Sequence, residues 1–301
     1  MDEARYDGQV AIVTGSARGL GRAHAGLLAA RGAAVVINDL GIDLAGGGRS
    51  LQPAEQAVAE IVAAGGRAVA NGDDIATSAG AAAAVEQALD EFGRLDIVVN
   101  NAGIANESPL AELSYAEFEN MVRVHAGGHF NVTAAAWPHF VAQGYGRVVM
   151  TTSSAIFGTP QPAYTAAKAG VYGLTRSFAL LGASVGVRVN AVNPAAFTRL
   201  ADVTFPVGHP RREAQQQYSA DLVAPLVGWL SHRSCTVNGE VFECRAGSVA
   251  RVFLGLGAGM HDPELSVESV AENIDRIMAV DEFTIPADNT AAKLWLAEQV
   301  S

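Results

Sequence analysis

The sequence predicts an α/β fold: a doubly wound parallel sheet of the Rossmann type, with helices on both faces and a C-terminal extension. Short runs rich in Val and Ile alternate with longer Ala-rich stretches of helical character. The short runs are apolar throughout, which is typical of parallel strands covered on both faces. Strands and helices that alternate in this order form a parallel sheet with crossover helices on its two sides.

The predicted strands are separated by segments long enough to cross over the sheet. The strands are Val10–Val13, Ala34–Asn38, Ala68–Ala70, Ile97–Asn100, Arg147–Met150, Val187–Val192 and Glu240–Phe242. Pro53–Ala64 and Ala79–Phe92 are predicted helices, and Leu222–Leu230 is a further apolar helix. We expect residues 1–246 to form the Rossmann-type domain, and residues 247–301 to be an extension that packs on the domain or on a partner subunit.

The composition limits the possible partners. Twenty Lys and Arg residues stand against 31 Asp and Glu, which gives a net charge of -11 at pH 7. An acidic chain without clusters of Lys and Arg disfavours nucleic acid and anionic membrane as partners. No apolar run is long enough to cross a bilayer, and the first residues lack the pattern of a signal peptide. We therefore expect a cytoplasmic protein whose two cysteines, Cys235 and Cys244, are free thiols.

A phosphate-binding loop is predicted directly after the first strand, in Gly15–Gly21. Glycines let the main chain approach a pyrophosphate, and the N-terminus of the following helix supplies N–H groups and a partial positive charge. The candidate cofactor-binding residues of this loop are Gly15, Ser16, Arg18, Gly19, Leu20 and Gly21.

Acidic residues after the second and third strands predict which cofactor binds. The Asp39 carboxylate would accept hydrogen bonds from the ribose hydroxyls of NAD and repel a 2′-phosphate. At about 5 Å and an effective dielectric near 20, one pair of unit charges contributes roughly 3 kcal/mol of repulsion, which Arg18 would partly offset. Asp74, followed by Ile75, is placed to bind the adenine amino group. Alternatively, Asp74 is the N-cap of the next helix.

A Tyr and a Lys four residues apart form a candidate catalytic pair. Tyr164 and Lys168 share one face of a predicted helix and follow Thr151–Ser154 at the end of a strand. A Lys ammonium about 4–6 Å away and a nicotinium ring can lower the pKa of a phenol by some 1–3 units, so Tyr164 is the predicted acid/base. The hydroxyl of Ser153 would hold and polarise the substrate oxygen.

In combination these motifs resemble the short-chain dehydrogenase/reductase family. They are Gly15–Gly21, Asn100–Gly103, the serine with Tyr-x-x-x-Lys, and Asn193–Thr198. The resemblance implies that the cofactor also contacts Asn101, Ala102, Gly103, Tyr164, Lys168, Pro194, Ala196 and Thr198.

Further segments resemble one branch of that family, the (3R)-hydroxyacyl-CoA dehydrogenase domain of peroxisomal multifunctional enzyme type 2 and its bacterial relatives. These segments are Val36–Gly41, Arg123–His125, Gly128–Phe130 and Tyr218–Leu230. The branch implies a homodimer, with a homotetramer as the alternative, and an extension near the substrate entrance.

The chain departs from the family in the loop between the serines and Tyr164, which is about two residues shorter than usual. Counting back from Tyr164 reaches Thr151, whereas counting along the strand from Gly146 reaches Ser153. A deletion is absorbed more easily in a loop than in a central strand, so Ser153 is the predicted catalytic serine and Ser154 the alternative.

His125 stands where most of the family has a catalytic Asn. In the family this position bends the helix and joins a water relay to the Lys, so we expect His125 to support the relay through its main-chain carbonyl. His125 and His129 also have the helical spacing of two metal ligands. Because no motif supplies a third ligand, we expect no metal.

The sequence therefore predicts an NAD-dependent oxidoreductase that interconverts a secondary alcohol and a ketone on a bulky apolar substrate, such as a (3R)-hydroxyacyl-CoA or a hydroxysteroid. One alternative is an NADPH-dependent ketoreductase that acts on acyl thioesters, against which Asp39 argues. Another is a non-catalytic NAD-binding sensor or scaffold, against which the intact Ser153, Tyr164 and Lys168 argue.

The irregular segment Arg199–Ala220 is interpreted as a lid over the substrate. Together with the extension it predicts an elongated apolar cleft, suited to an acyl chain or a ring system. The apolar residues in question are Phe197, Leu200, Val203, Phe205, Val252, Phe253, Leu254 and Leu256.

Overall fold

The computed structural model describes residues 3–42, 48–104, 108–196, 208 and 218–299. The chain divides into two compact units, Met1–Arg251 and Val252–Ser301. Within the described residues, none of the helices combines the length and the apolar character needed to cross a membrane.

An eight-stranded sheet forms the centre of the first unit, in the order β3-β2-β1-β4-β5-β6-β7-β8. All pairings from β3 to β7 are parallel, which confirms the predicted Rossmann-type sheet. The strands are β1 (Val10–Thr14), β2 (Ala34–Asn38), β3 (Arg67–Asn71), β4 (Ile97–Asn100), β5 (Gly146–Thr151), β6 (Val187–Ala195), β7 (Val241–Arg245) and β8 (Ser248–Val252).

Helices cover both faces of this sheet. They are α1 (Gly19–Ala30), α2 (Gln52–Ala63), α3 (Ser78–Phe92), α4 (Tyr115–Val122), α5 (Gly128–Gln143), α6 (Pro162–Gly182) and α7 (Ala224–Ser231). One face packs on α1, α2 and α7 through a buried cluster that contains Leu28, Ala57 and Val227 together with Val13 and Val35. Helices α3, α5 and α6 contact the strands β1, β4 and β6 respectively. Every residue of β1, β2, β4 and β5 is buried. Because side chains alternate between the two faces of a strand, both faces of these strands are covered.

The strand order places the functional edge of the sheet. The chain winds from β1 outward to β3 and then returns to β4 on the other side of β1. At such a reversal the two connections leave in opposite directions, and a crevice opens beyond the carboxyl ends of the two strands. The loops after β1 and β4 therefore form the walls of the crevice.

A hairpin follows the last parallel strand. Ala246 (φ 47°) and Gly247 (φ 82°) both have positive φ, as the two central residues of a type I′ turn require. A two-residue turn joins antiparallel strands, so β8 runs against β7. The first compact unit ends at Arg251, and the domain boundary after residue 246 stays a prediction. Cys235 and Cys244 are both buried and free, as predicted.

The second unit contains the short antiparallel pair β9 (Leu256–Gly257) and β10 (Phe283–Thr284). Its helices are α8 (Val267–Glu272), α9 (Ile274–Ile277) and α10 (Asn289–Glu298). None of these three helices contains a buried residue. Whether the unit covers the first unit or a partner subunit stays a prediction. Four apolar residues of the predicted cleft lie outside the described residues: Phe197, Leu200, Val203 and Phe205.

Candidate active site

The glycine loop after β1 is packed so closely that Gly15 and Gly21 have no room for a side chain. Gly15 (φ 62°) and Gly19 (φ 54°) adopt the left-handed conformation. A Cβ on Gly21 would overlap the main-chain oxygen of Gly15 and lie 2.6 Å from Nδ2 of Asn101. Ser16 holds the turn in place by donating from Oγ to the oxygen of Val13 at 2.6 Å. The tight turn leads directly into the N-terminus of α1, and this arrangement is the one that binds a pyrophosphate in dinucleotide-binding folds.

The loop after β4 is fastened to the glycine loop by Thr14. The Thr14 hydroxyl oxygen accepts the main-chain N–H groups of Asn101 (2.9 Å) and Ala102 (3.0 Å). Nδ2 of Asn101 donates to the oxygens of Thr14 and Gly15 at 2.9 and 3.1 Å. The predicted residues Asn101–Gly103 thus lie beside Gly15, on the opposite wall of the crevice.

Asp39 lies at the end of β2 and faces the glycine loop. Its two oxygens accept the N–H groups of Ala17 (3.0 Å) and Gly41 (2.8 Å), which fix the orientation of the carboxylate. Arg18 precedes α1 in an extended conformation. Nη1 of Arg18 is buried and has no hydrogen-bond partner among the described residues.

Asp74 follows β3 and lies next to the buried Ile75. One oxygen of Asp74 accepts the N–H of Ala76 at 3.0 Å, and the other lies 3.1 Å from Nη2 of Arg49. The N-cap of α3 is Thr77, whose hydroxyl accepts the N–H of Gly80 at 3.1 Å. The alternative that Asp74 caps this helix is therefore wrong.

Ser153 is the serine that contacts Tyr164. The strand β5 ends at Thr151, a 3₁₀ turn begins at Ser154, and Ser153 between them hydrogen-bonds the Tyr164 phenol through its side chain. Ser154 is exposed. The serine that contacts Tyr164 is thus the one to which the strand register pointed, and its catalytic role stays a prediction.

Burial raises the pKa of Tyr164 above its ordinary value, and the hydrogen bond from Ser153 lowers it only in part. This differs from the expectation that Lys168 lowers the pKa of the phenol. Nζ of Lys168 lies 5.7 Å from the centre of the Tyr164 ring and donates to the main-chain oxygen of Thr151 at 2.8 Å. The loss of hydration at Tyr164 therefore outweighs the hydrogen bond from Ser153.

Lys168 is 3% exposed. Burial lowers its pKa to about 7, because a buried ammonium loses its hydration. The hydroxyl of Thr152 donates to the main-chain oxygen of Lys168 at 2.8 Å and so fixes the helix turn that carries it.

His125 lies within a π-helical segment, Arg123–Gly127, between α4 and α5. Such a segment interrupts the regular helix, as expected of the position that bends the helix in the family. Nε2 of His125 is 2.9 Å from the oxygen and 3.2 Å from the nitrogen of Ile104, and the ring meets the Tyr164 ring edge-on with centroids 5.5 Å apart. Burial, followed by the charge of Lys168, holds the pKa of His125 well below its ordinary value.

His129 lies one helical turn after His125 and is completely buried. Burial, with a smaller contribution from the Lys168 charge, lowers its pKa to about 3. A neutral imidazole thus lies near the ammonium.

The nicotinamide end of the site is described only in part. Pro194 and Ala196 lie at the carboxyl end of β6, where Pro194 pairs with Cys244 of β7. Thr198 lies outside the described residues.

Two residues at this edge, Thr14 and Arg49, were not among the site residues predicted from the sequence. Thr14 carried a signal, because it directly precedes the first glycine of the loop. Arg49 carried none, because its contact joins residues 25 positions apart.

Comparison with known proteins agrees with this architecture. The family model described as short chain dehydrogenase matches residues 9–204. The chain is 40% identical to mouse peroxisomal multifunctional enzyme type 2 over 91% of its own length, although it spans only 37% of that enzyme. It is 42% identical to a putative short-chain type dehydrogenase/reductase of Mycobacterium tuberculosis, over 87% of this chain and 91% of the relative.

Solved structures give the same result. A short chain dehydrogenase from Mycobacterium avium superposes with a TM-score of 0.74 at 36% identity, covering 90% of this chain and 95% of that one. A 7α-hydroxysteroid dehydrogenase complexed with NADH and 7-oxo glycochenodeoxycholic acid superposes with a TM-score of 0.72 at 26% identity, covering 81% and 95%. The chain is a member of the short-chain dehydrogenase/reductase family of oxidoreductases, which bind a nicotinamide cofactor.

Proposed function

We propose that this chain is an NAD-dependent oxidoreductase that interconverts a secondary alcohol and a ketone. The observation that carries the proposal is the hydrogen bond between Ser153 and Tyr164, next to the buried Lys168. A phenol, a hydroxyl and an ammonium at the carboxyl edge of β5 form a proton-transfer site at the edge where the glycine loop fits a dinucleotide.

The proposed chemistry assigns one role to each side chain. Ser153 binds the substrate oxygen, and Tyr164 as phenolate accepts the hydroxyl proton while the carbon–oxygen double bond forms. When bound, NAD supplies the acceptor for the hydride that leaves the alcohol carbon. Lys168 stabilises the phenolate by its positive charge, and His125 supports the packing of the Tyr164 ring. In the reverse direction, Tyr164 returns the proton to the ketone oxygen.

The proposed cofactor is NAD because the Asp39 carboxylate faces the glycine loop. A 2′-phosphate beside this carboxylate would be repelled. The residues proposed to hold NAD are Gly15, Ser16, Arg18, Gly19, Leu20, Gly21, Asp39, Asp74, Ile75, Asn101, Ala102, Gly103, Tyr164, Lys168, Pro194, Ala196 and Thr198. Arg18 gives support to a second candidate, an NADPH-dependent ketoreductase, because its unpartnered Nη1 is available to a phosphate.

The proposed substrate is a bulky apolar alcohol, such as a (3R)-hydroxyacyl-CoA or a hydroxysteroid. Phe157, in the turn that follows Ser153, is 71% exposed. The steroid ligand named with the structural neighbour is a bulky ring system. Both observations favour apolar bulk beside the reacting carbon.

The proposed assembly is a homodimer or a homotetramer. Apolar side chains lie exposed on α5 and α6, and Phe178 joins the two helices through ring contacts with Phe130 (6.0 Å) and Trp137 (5.5 Å). Leu181 on α6 is 61% exposed. Size-exclusion chromatography with light scattering tests this proposal, with Leu181→Glu as the variant expected to dissociate the assembly.

The proposed location is the cytoplasm, whereas several relatives are named as peroxisomal enzymes. Fractionation of cells that express the tagged chain distinguishes the two compartments.

Steady-state assays test the reaction directly. A panel of secondary alcohols, from short aliphatic alcohols to hydroxysteroids and 3-hydroxyacyl-CoA thioesters, is assayed with NAD and with NADP. We expect kcat/KM to rise with apolar bulk and to be higher with NAD. Turnover that is faster with NADPH and acyl thioesters would support the ketoreductase. No turnover of any alcohol or ketone would contradict both.

A further inference from the structure

A loop beside the proposed adenosine site closes on itself at the end of β2. The N–H of Ser50 donates to the oxygen of Leu40 at 3.2 Å, and a Cβ on Gly41 would overlap the oxygen of Ser50. The N–H of Gly41 in turn bonds the Asp39 carboxylate at 2.8 Å. The residue before Ser50 is thereby held next to Asp39.

That residue, Arg49, reaches across to the next strand. Its Nη2 donates to Oδ2 of Asp74 at 3.1 Å, so that a side chain anchored beside β2 bonds one anchored beside β3. In a doubly wound sheet, ligands bind beyond the carboxyl ends of the strands. The adenine of the proposed cofactor would lie between Asp39 and Asp74, which is the gap that Arg49 spans.

The hydrogen bond to Asp74 leaves the face of the guanidinium free. Asp74 holds Arg49 by one edge, and its other oxygen is occupied by the N–H of Ala76 at 3.0 Å. Each carboxylate oxygen accepts more than one hydrogen bond, so Oδ2 can bind Arg49 and an adenine amino group together. A planar guanidinium held by its edge stacks on an aromatic ring.

We propose that Arg49 determines the affinity for the adenine ring: anchored on Asp74, its guanidinium packs against the adenine of the bound cofactor. This inference rests on the proposed function, since it requires that the chain binds an adenine dinucleotide. It assigns a binding role to a residue outside the glycine loop and the catalytic residues.

In the ion pair between Arg49 and Asp74, Arg49 can be replaced to test its role in binding. Arg49 is 64% exposed, and an exposed ion pair contributes little to folding stability, so Arg49→Ala is expected to leave the fold intact. Arg49→Lys keeps the charge and removes the planar group. Arg123 supplies the matched control, because its Nη1 lies 3.9 Å from the same Asp74 oxygen and its truncation removes an equal charge.

The experiment measures dissociation constants by fluorescence titration and calorimetry for NADH, ADP-ribose and reduced nicotinamide mononucleotide. Arg49→Ala and Arg49→Lys are expected to weaken NADH and ADP-ribose by the same factor, about 3- to 10-fold, and to leave the mononucleotide unchanged. Arg123→Ala is expected to change none of the three by more than about twofold.

Three results would overturn the proposal. Unchanged or tighter NADH binding in Arg49→Ala would show that the guanidinium does not contact adenine or competes with it for Asp74. An equal loss of NADH affinity in Arg123→Ala would assign the effect to charge alone. Full retention of NADH affinity in Arg49→Lys would lead to the same conclusion. If the unmodified protein binds none of the ligands, the proposed function itself is contradicted. This result differs from one in which the unmodified protein binds NADH and the Arg49 variants bind it equally well, which contradicts only the role of Arg49.

Discussion

Nζ of Lys168 donates to the main-chain oxygen of Thr151 at 2.8 Å, and this bond ties α6 to the end of β5. No carboxylate among the described residues forms an ion pair with Lys168. A buried ammonium without a counter-charge is costly, which is why the pKa of Lys168 falls to about 7. The site therefore contains a group that titrates near neutral pH.

Replacing Lys168 by Met is expected to stabilise the fold below pH 7. The folded pKa of about 7 is lower than the unfolded value of roughly 10.4, so below pH 7 both states bind the proton and the native state buries a charge. Between pH 7 and 10 only the unfolded state remains protonated, and the cost falls progressively as the pH rises toward the unfolded pKa. Urea unfolding should show a gain of about 2–4 kcal/mol at pH 6 that shrinks toward pH 10. The exposed Lys293→Met serves as control; a gain independent of pH would contradict the argument.

Tyr164→Phe is expected to reduce turnover by about 10²- to 10⁴-fold, because only the proton acceptor is lost. The dissociation constant of NADH should change little. Tyr172→Phe, two turns later on the same helix, is the control and should retain activity. Comparable turnover in Tyr164→Phe would remove the phenol from the mechanism.

Ser153→Ala should reduce kcat strongly, whereas Ser154→Ala should be mild. Ser153 contacts the phenol and Ser154 is exposed. The measurement is kcat and KM for both variants with one substrate. A greater loss in Ser154→Ala would show that the strand register does not place the catalytic serine.

Asp39→Ala is expected to narrow the preference for NAD over NADP by about tenfold or more, because the repulsion of a 2′-phosphate is removed. Fluorescence titration with both cofactors measures the ratio. Asp73→Ala removes a neighbouring carboxylate, which bonds Asn71 instead of the glycine loop, and is the control. Tighter binding of NADP to the unmodified protein would refute the assignment.

His24 on α1 is expected to limit acid stability. Its ring is buried, both nitrogens lack partners among the described residues, and burial lowers its pKa to about 3. The unfolded state therefore binds a proton below pH 6.5 that the native state does not, so stability falls as the pH drops from 6.5 toward 3. Between pH 7 and 4, His24→Leu should lose less stability than the unmodified protein, by on the order of 3 kcal/mol. The control is His261→Gln, at an exposed position, which should lose as much stability as the unmodified protein. A loss in His24→Leu equal to that of the unmodified protein would contradict this account.

The central strands were predictable because each is a short apolar run, and burial on both faces requires such runs. The strand β2 coincides with its predicted range, and Gly15–Gly21 runs from the end of β1 into the first turn of α1, where the sequence placed it. The end of β6 was predicted too early, at Val192, because polar Asn193 interrupts the apolar run although the strand continues to Ala195. Pairing with β7 overrides the local composition there.

The π segment and the pKa of Tyr164 were not predictable from residue spacing. A π turn depends on which carbonyls the following residues can reach, and Arg123–Gly127 contains no Pro that would mark it. The spacing of Tyr164 and Lys168 gives proximity but not burial. Burial decides the direction in which the pKa of the phenol moves, and it depends on the packing of the whole site.

The hydroxyl of Thr14 has a consequence for the thermodynamics of ligand capture. It accepts hydrogen bonds from Asn101 and Ala102, which lie 87 and 88 positions further along the chain. The two walls of the crevice are therefore fixed to each other once the sheet has formed. The conformational entropy of the loop after β4 is thus lost during folding and not when a ligand arrives. A preorganised wall of this kind lets contact energy appear as affinity instead of being consumed in ordering the loop.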